Sequence, residues 1–224
     1  MTYRAAEVIS MADVILYDQL PGEEIIDSLP DVEKIDVGKY GALHTKEQNE
    51  IENLMVKYAL EGKTIVRLKG GDPFLFGRGG EEMEILRESG IEVEMVPGIT
   101  SAIAVPECVG IPVTHRDFAS QVTFLTGHED PSKDKSVIDW RWLAAAPGTL
   151  VILMGVKNLP KICSSLIENG MSGERPVAVI ERGLRPDQRV TTGTISNIAE
   201  KANERGVKPP AIIVIGEVVS LYRE

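Results

Sequence analysis

Short β-branched and apolar runs alternate along this chain with longer segments whose apolar residues recur at helical spacing. The runs DVILY (13–17), VEKIDV (32–37), TIVRL (64–68), IEVEMV (91–96), VTFLT (122–126), TLVILM (149–154), PVAVIE (176–181), RVTTG (189–193) and AIIVIGEVV (211–219) predict strands. Helices are predicted over 46–60, 80–89, 159–168 and 195–203, and over TYRAAEVISM near the start. VILY and AIIVI are apolar at successive positions, so helices must cover both faces of their sheets. The alternation predicts an α/β fold with mostly parallel sheets. The proline-containing stretch GIPVTHRD (110–117) has no period of its own and splits the chain into similar halves. Two α/β domains are expected, over 1–113 and 114–224, with a ligand cleft between them. A doubly wound sheet ordinarily opens on a strand. This sequence opens in a helix, so the first N-terminal strand is expected to be missing.

Composition narrows the picture further. With 224 residues and 43% hydrophobic content the chain can bury a full core. Its formal charge of -10 speaks against a nucleic-acid partner, yet leaves room for a small anionic substrate held by locally gathered cations. It holds no apolar run long enough for a bilayer and no secretion signal, so a cytoplasmic protein without a membrane partner is expected. Cys108 and Cys163 lie far apart and read as buried thiols in a reducing compartment. His44, His115 and His128 have no ligand spacing, so no metal is expected.

Ligands of open α/β sheets gather outside the carboxyl ends of the strands. The connections there are chemically rich: Asp18, then Gly38-Lys39-Tyr40-Gly41, then RLKGGDPFLFGRGGEE (67–82), then PGITSA (97–102), then Met154-Gly155 and Arg182-Gly183. Glycines at 70, 71, 77, 79 and 80 in one connection imply a backbone that bends sharply and comes close to something else. Singly, these residues are ambiguous. Asp18 suits a turn acid as well as a base, Lys39 a solvated charge, and Met154 the core. Thr100 and Ser101 suit helix-start hydroxyls as well as contacts to a ligand's polar edge. No Walker A loop, G-x-S-x-G, CxxC or HExxH is present. The glycines at 77 and 79 lack the third at 82 that a dinucleotide fingerprint needs.

Taken together, ADVILYD (12–18), VGKYGALHTKEQNEI (37–51), GKTIVRLKGGDPFLFGRGGEE (62–82), VPGITSAIAVPECVGIPVTHRD (96–117), LVILMGVKNL (150–159) and KPPAIIVIGEVV (208–219) cover almost the whole chain. In that order they resemble the tetrapyrrole (class III) S-adenosylmethionine-dependent methyltransferases. That family opens with a strand and a Gly-x-Gly-Pro-Gly-Asp-Pro loop ahead of the first helix, and this sequence enters at the helix. The resemblance implies methyl transfer from S-adenosyl-L-methionine to pyrrole carbons C2 and C7 of uroporphyrinogen III. The products would be precorrin-2, leading to sirohaem and cobalamin, and S-adenosyl-L-homocysteine. It leaves open another tetrapyrrole methyltransferase, or a truncated paralogue that binds the donor without turnover. It implies Asp18 as proton acceptor and Lys39 as proton donor. It implies Gly70, Gly71, Asp72, Leu75, Thr100, Ser101, Met154, Gly183 and Ala211 as donor-binding residues. Arg67, Lys69, Arg78, His44 and Arg116, with His115, are the implied cations for the substrate's carboxylates. The family also implies a homodimer.

Overall fold

The computed structural model describes residues 1–38, 48–128 and 137–223. They divide into two compact units, Met1–Thr100 and Ser101–Glu224. In the first, α1 (Tyr3–Ser10), β1 (Val14–Tyr17), α2 (Glu23–Asp27), β2 (Glu33–Asp36), α3 (Gln48–Leu60), β3 (Ile65–Leu68) and α4 (Gly79–Glu88) follow in order. The Thr2 hydroxyl caps α1 by accepting from the Ala5 N–H. The three strands form a parallel sheet in the order β2-β1-β3.

The alternation of side chains along a strand explains the apolar run in β1. Val14 and Leu16 face a cluster with Val37, Ile51 and Met55. Ile15 points the other way, against Ile9, Ala12 and Leu29. Burying each such side chain contributes about 1.5–3 kcal/mol, so the middle strand is the best-anchored part of this sheet, and so is whatever stands at its tip.

The second unit holds α5 (Ser101–Cys108), β4 (Val122–Thr126), α6 (Trp140–Ala145), β5 (Thr149–Leu153), α7 (Leu159–Glu168), β6 (Pro176–Glu181), β7 (Arg189–Thr194), α8 (Ile198–Glu204) and β8 (Ala211–Ile215). Its five strands lie in the order β4-β5-β8-β6-β7. The α/β architecture is as expected, but this sheet is mixed rather than mostly parallel. Only β4 and β5 pair in parallel; β5–β8, β8–β6 and β6–β7 are antiparallel. The link from Glu181 to Arg189 is too short for a parallel crossover, so β6 and β7 must form a hairpin. β5 and β6 do run the same way, as their intervening helix suggests, but β8 inserts between them against both. The core clusters Leu150, Ile152, Val177, Val179, Ile213 and Ile215 beneath helices carrying Leu159, Ile162, Leu166 and Ile198.

Two predicted strands differ in detail. Segment 91–96 keeps the alternating burial of a strand yet is not part of either sheet. A strand is defined by its ladder partner, and periodicity alone does not supply one. Arg4 reaches this segment from α1 and holds Glu94 through two hydrogen bonds of 2.6 and 2.7 Å. The run at 211–219 stops as a strand at Ile215, and Val218 and Val219 are buried instead within a 3-10 turn. Cys163 is buried and its thiol is pushed up to about 11 by burial. Cys108, expected inside, is exposed on α5. No helix among the described residues is long and apolar enough to cross a membrane.

Candidate active site

All three strands of the first sheet point their carboxyl ends to one edge, and β1 is in the middle. The first residue beyond β1 is Asp18. One carboxylate oxygen accepts from the Leu20 N–H at 3.0 Å, and the other faces the Arg67 guanidinium at 3.4 Å. Arg67 also donates to the Leu68 carbonyl at 2.9 Å, which pins the guanidinium across the ends of β1 and β3. Its Nε lies 3.4 Å from the carboxylate of Glu82 on α4. Lys69 reaches both Glu82 oxygens, at 3.1 and 3.2 Å. Burial pushes the Lys69 pKa down, and the neighbouring Arg67 charge adds to that. Arg67 and Lys69 are therefore largely buried and committed to carboxylates of the protein itself. Of the expected substrate cations, Arg78 is exposed but paired with Glu81, and Arg116 is exposed in the turn that His115 and Ala119 close. Lys39 and His44 lie outside the described residues.

The glycine-rich connection folds chiefly on itself. Gly71 has φ 88°, a left-handed conformation that few other residues accept. A Cβ on Gly98 would lie 2.0 Å from the Gly71 carbonyl oxygen, so the two backbones cross in contact. A Cβ on Gly70 would meet Leu20, and one on Gly77 or Gly79 would meet the Pro73 carbonyl. The close approach foreseen from sequence is thus met in large part by the chain's own backbone.

Asp72 organises this crossing. Its carboxylate accepts from the N–H groups of Phe74 (2.9 Å), Leu75 (3.0 Å) and Gly98 (3.2 Å). Burial works to raise its pKa, but the three backbone donors outweigh it and hold the carboxyl below its ordinary range. Because the folded value lies below the unfolded one, this contribution to stability is complete above the ordinary carboxylate range and is lost as pH falls through the folded value. Asp72→Asn is expected to lower the thermal midpoint at pH 7 by about 2–6 °C. It should also flatten the fall in midpoint as pH drops below the ordinary carboxylate range of about 4. An acid profile identical to the parent's in scanning calorimetry would remove Asp72 from this role.

In the second sheet the antiparallel insertion has a positional consequence. The first residue of β8, Ala211, pairs with Glu181 and so stands beside the carboxyl ends of β5 and β6. Met154 follows β5 and Gly183 follows β6, so three expected donor-binding residues meet at one end of the sheet. Pro210 accepts from the Arg182 N–H at 2.9 Å and ties the last two connections together. A Cβ on Gly183 would collide with Val105 of α5, so that glycine also serves helix packing. Ser101 opens α5, and Thr100 precedes it.

Backbone strain marks the same loops. Phe76, Arg78, Met154, Arg182 and Leu184 are the non-glycine residues with positive φ among the described residues. Each costs on the order of 1–3 kcal/mol and persists because its surroundings enforce it. All five lie in connections that leave the carboxyl end of a strand. Sequence reading gave no role to Glu82, Arg182 or Leu184. For Glu82 a signal existed: it stands one helical turn before Leu86, which packs on the core, so a charge there points inward. No sequence signal marks a left-handed arginine or leucine.

The family model for Tetrapyrrole (Corrin/Porphyrin) Methylases matches residues 1–199. The chain belongs to the tetrapyrrole methylase family. Within it, the chain is 59% identical over 223 residues to an S-adenosyl-L-methionine-dependent uroporphyrinogen III methyltransferase of Methanosarcina barkeri, covering 99% of this chain and 88% of that one. It is 46% identical to a siroheme synthase of Pseudoalteromonas atlantica, but spans only 48% of that protein. Its structure superposes with TM-score 0.83 and 36% identity on a uroporphyrin-III C-methyl transferase of Thermus thermophilus complexed with S-adenyl homocysteine, covering 99% of this chain and 93% of that one.

A sulfonium methyl donor needs apolar surface and backbone hydrogen-bonding groups more than a countercharge. The carboxyl end of the second sheet fits that need. Met154 leaves 52% of its surface exposed, Ala211 is partly exposed, and the left-handed residues around Gly183 turn that backbone sharply.

Proposed function

We propose that this chain transfers methyl groups from S-adenosyl-L-methionine to C2 and C7 of uroporphyrinogen III, giving precorrin-2 and S-adenosyl-L-homocysteine. The observation that carries the reading is the 59% identity, over 99% of this chain and 88% of the relative, to a protein named as an S-adenosyl-L-methionine-dependent uroporphyrinogen III methyltransferase. The geometry supports it from the residues upward. The donor, when bound, supplies a methyl group already activated by positive sulfur. In each transfer a carbon–carbon bond forms as the carbon–sulfur bond breaks, and the sulfur keeps the bonding pair. The alkylated macrocycle then sheds a proton. Asp18, an acceptor at the tip of the buried middle strand and fixed at both oxygens, is the group we assign to take it. Lys39 is the proposed proton donor. Backbone and side-chain groups at Gly70, Gly71, Leu75, Thr100, Ser101, Met154, Gly183 and Ala211 are proposed to hold the donor. Asp72 acts on that site through the loop crossing. Arg78, Arg116 and His44 are proposed to meet substrate carboxylates, since Arg67 and Lys69 are already engaged by Asp18 and Glu82. We assign the chain to the cytoplasm, to sirohaem and cobalamin synthesis, and to a homodimer, which light scattering at the mass of two chains would support.

Incubation with uroporphyrinogen III and S-adenosyl-L-methionine, followed by mass and absorption analysis, tests the reading. The expected product has gained two methyl groups on the ring carbons. Donor binding without any methylated tetrapyrrole would overturn it.

A further inference from the structure

We propose that Glu82 is a positioning residue for methyl transfer, acting on Asp18 through Arg67. The inference rests on the reading of Asp18 as the proton acceptor. Glu82 lies in the first turns of α4 and is only 5% exposed. A buried carboxylate is costly unless it is matched by donors. Here Gln48 donates at 3.1 Å, Lys69 at 3.1 and 3.2 Å, and Arg67 at 3.4 Å. Gln48 comes from α3, and Arg67 and Lys69 from the carboxyl end of β3 and the residue just beyond it, so one carboxylate ties both segments to α4. Arg67 is the only one of these donors that also reaches Asp18 among the described residues.

The guanidinium fork explains how this acts. Arginine presents its donors in one rigid plane. With Nε facing Glu82 and Nη1 donating to the Leu68 carbonyl and lying 3.5 Å from that of Leu16, the plane is held with Nη2 toward the Asp18 carboxylate. A lysine at position 67 would carry the same charge but lack a fixed fork. Remove the Glu82 charge and Arg67 loses the partner that turns its plane, while Lys69 is free to compete for Asp18. The carboxylate that must receive the proton would keep the Leu20 N–H at one oxygen but lose a fixed partner at the other. This arrangement lies wholly within the first unit.

The test uses the full chain with uroporphyrinogen III and S-adenosyl-L-methionine, reading kcat and KM, with S-adenosyl-L-homocysteine affinity by calorimetry. Glu82→Gln keeps the side chain's shape and one acceptor oxygen. It is expected to lower kcat at least about tenfold, with KM and product affinity within about threefold. Introduced into Asp18→Asn, the same change should lower the residual rate by less than about twofold, because its effect passes through the missing carboxylate. Arg67→Lys should reproduce the loss in kcat, and it carries the test if Glu82→Gln does not fold. Unchanged kcat in a folded Glu82→Gln, or in Arg67→Lys where the former is unfolded, overturns the proposal. So does a loss that adds in full to that of Asp18→Asn, which is what a purely structural role would give. If Asp18→Asn itself keeps the parent rate, the assignment of Asp18 fails first. That result is distinct from an inactive Asp18→Asn beside a fully active Glu82→Gln.

Discussion

Asp18→Ala is expected to reduce methylation of uroporphyrinogen III by about two to three orders of magnitude while S-adenosyl-L-homocysteine affinity stays within about threefold. Positioned proton transfer contributes roughly 10²–10⁴ in rate, and Asp18 is the carboxylate at the tip of the middle parallel strand. The fold should tolerate the change. Asp18 makes one backbone hydrogen bond, to Leu20, and one long contact to Arg67, which keeps Glu82 and the Leu68 carbonyl as partners. Losing one such bond costs about 0.5–1.5 kcal/mol, far less than the predicted kinetic loss. Single-turnover kinetics beside calorimetry separate the cases. A parallel collapse of rate and product affinity would reassign Asp18 to holding the donor.

The second large effect is steric. Gly98→Val places a Cβ 2.0 Å from the Gly71 carbonyl oxygen, with further carbon beyond it. Both neighbours are backbone, so no side chain can swing aside. The crossing has to open, and the Gly98 N–H then leaves the Asp72 carboxylate. Product affinity should fall at least about thirtyfold, and the thermal midpoint should drop by about 4 °C or more. Gly71→Val fails for a second reason, its left-handed φ of 88°. Gly80 serves as the comparison, because it lies in α4 and a Cβ there meets nothing within 4 Å; Gly80→Ala should hold the parent's midpoint or raise it by up to about 4 °C. A Gly98→Val protein that binds S-adenosyl-L-homocysteine like its parent would show that the crossing is not part of the donor site.

Much of this was legible before any coordinates. The β-branched runs announced the strands, and a parallel βαβ pattern dictates which end of each strand faces ligand, which is why Asp18 and the 67–82 connection stood out. What escaped has physical causes. Local periodicity carries no information about which strand lies beside which, so the antiparallel seat of β8 between β5 and β6 was invisible, and segment 91–96 looked like a strand. The charges of Arg67 and Lys69 suggested substrate contacts, because nothing in their immediate sequence declares that Glu82, more than a dozen residues on, claims them. Conversely, Asp72 was expected among the donor-binding residues, and its oxygens accept from three backbone N–H groups of the crossing loops.

The position of β8 also governs how the second unit is made. Its middle strand is the latest of the five in the chain, so Ala211–Ile215 must leave the ribosome before the two pairs, β4-β5 and β6-β7, can join. Until then each pair exposes an unsatisfied inner edge, and closure demands contacts between residues far apart along the polypeptide. Co-translational assembly of this unit is therefore delayed to its final strand, and a nascent chain stalled before residue 211 is a candidate for chaperone capture.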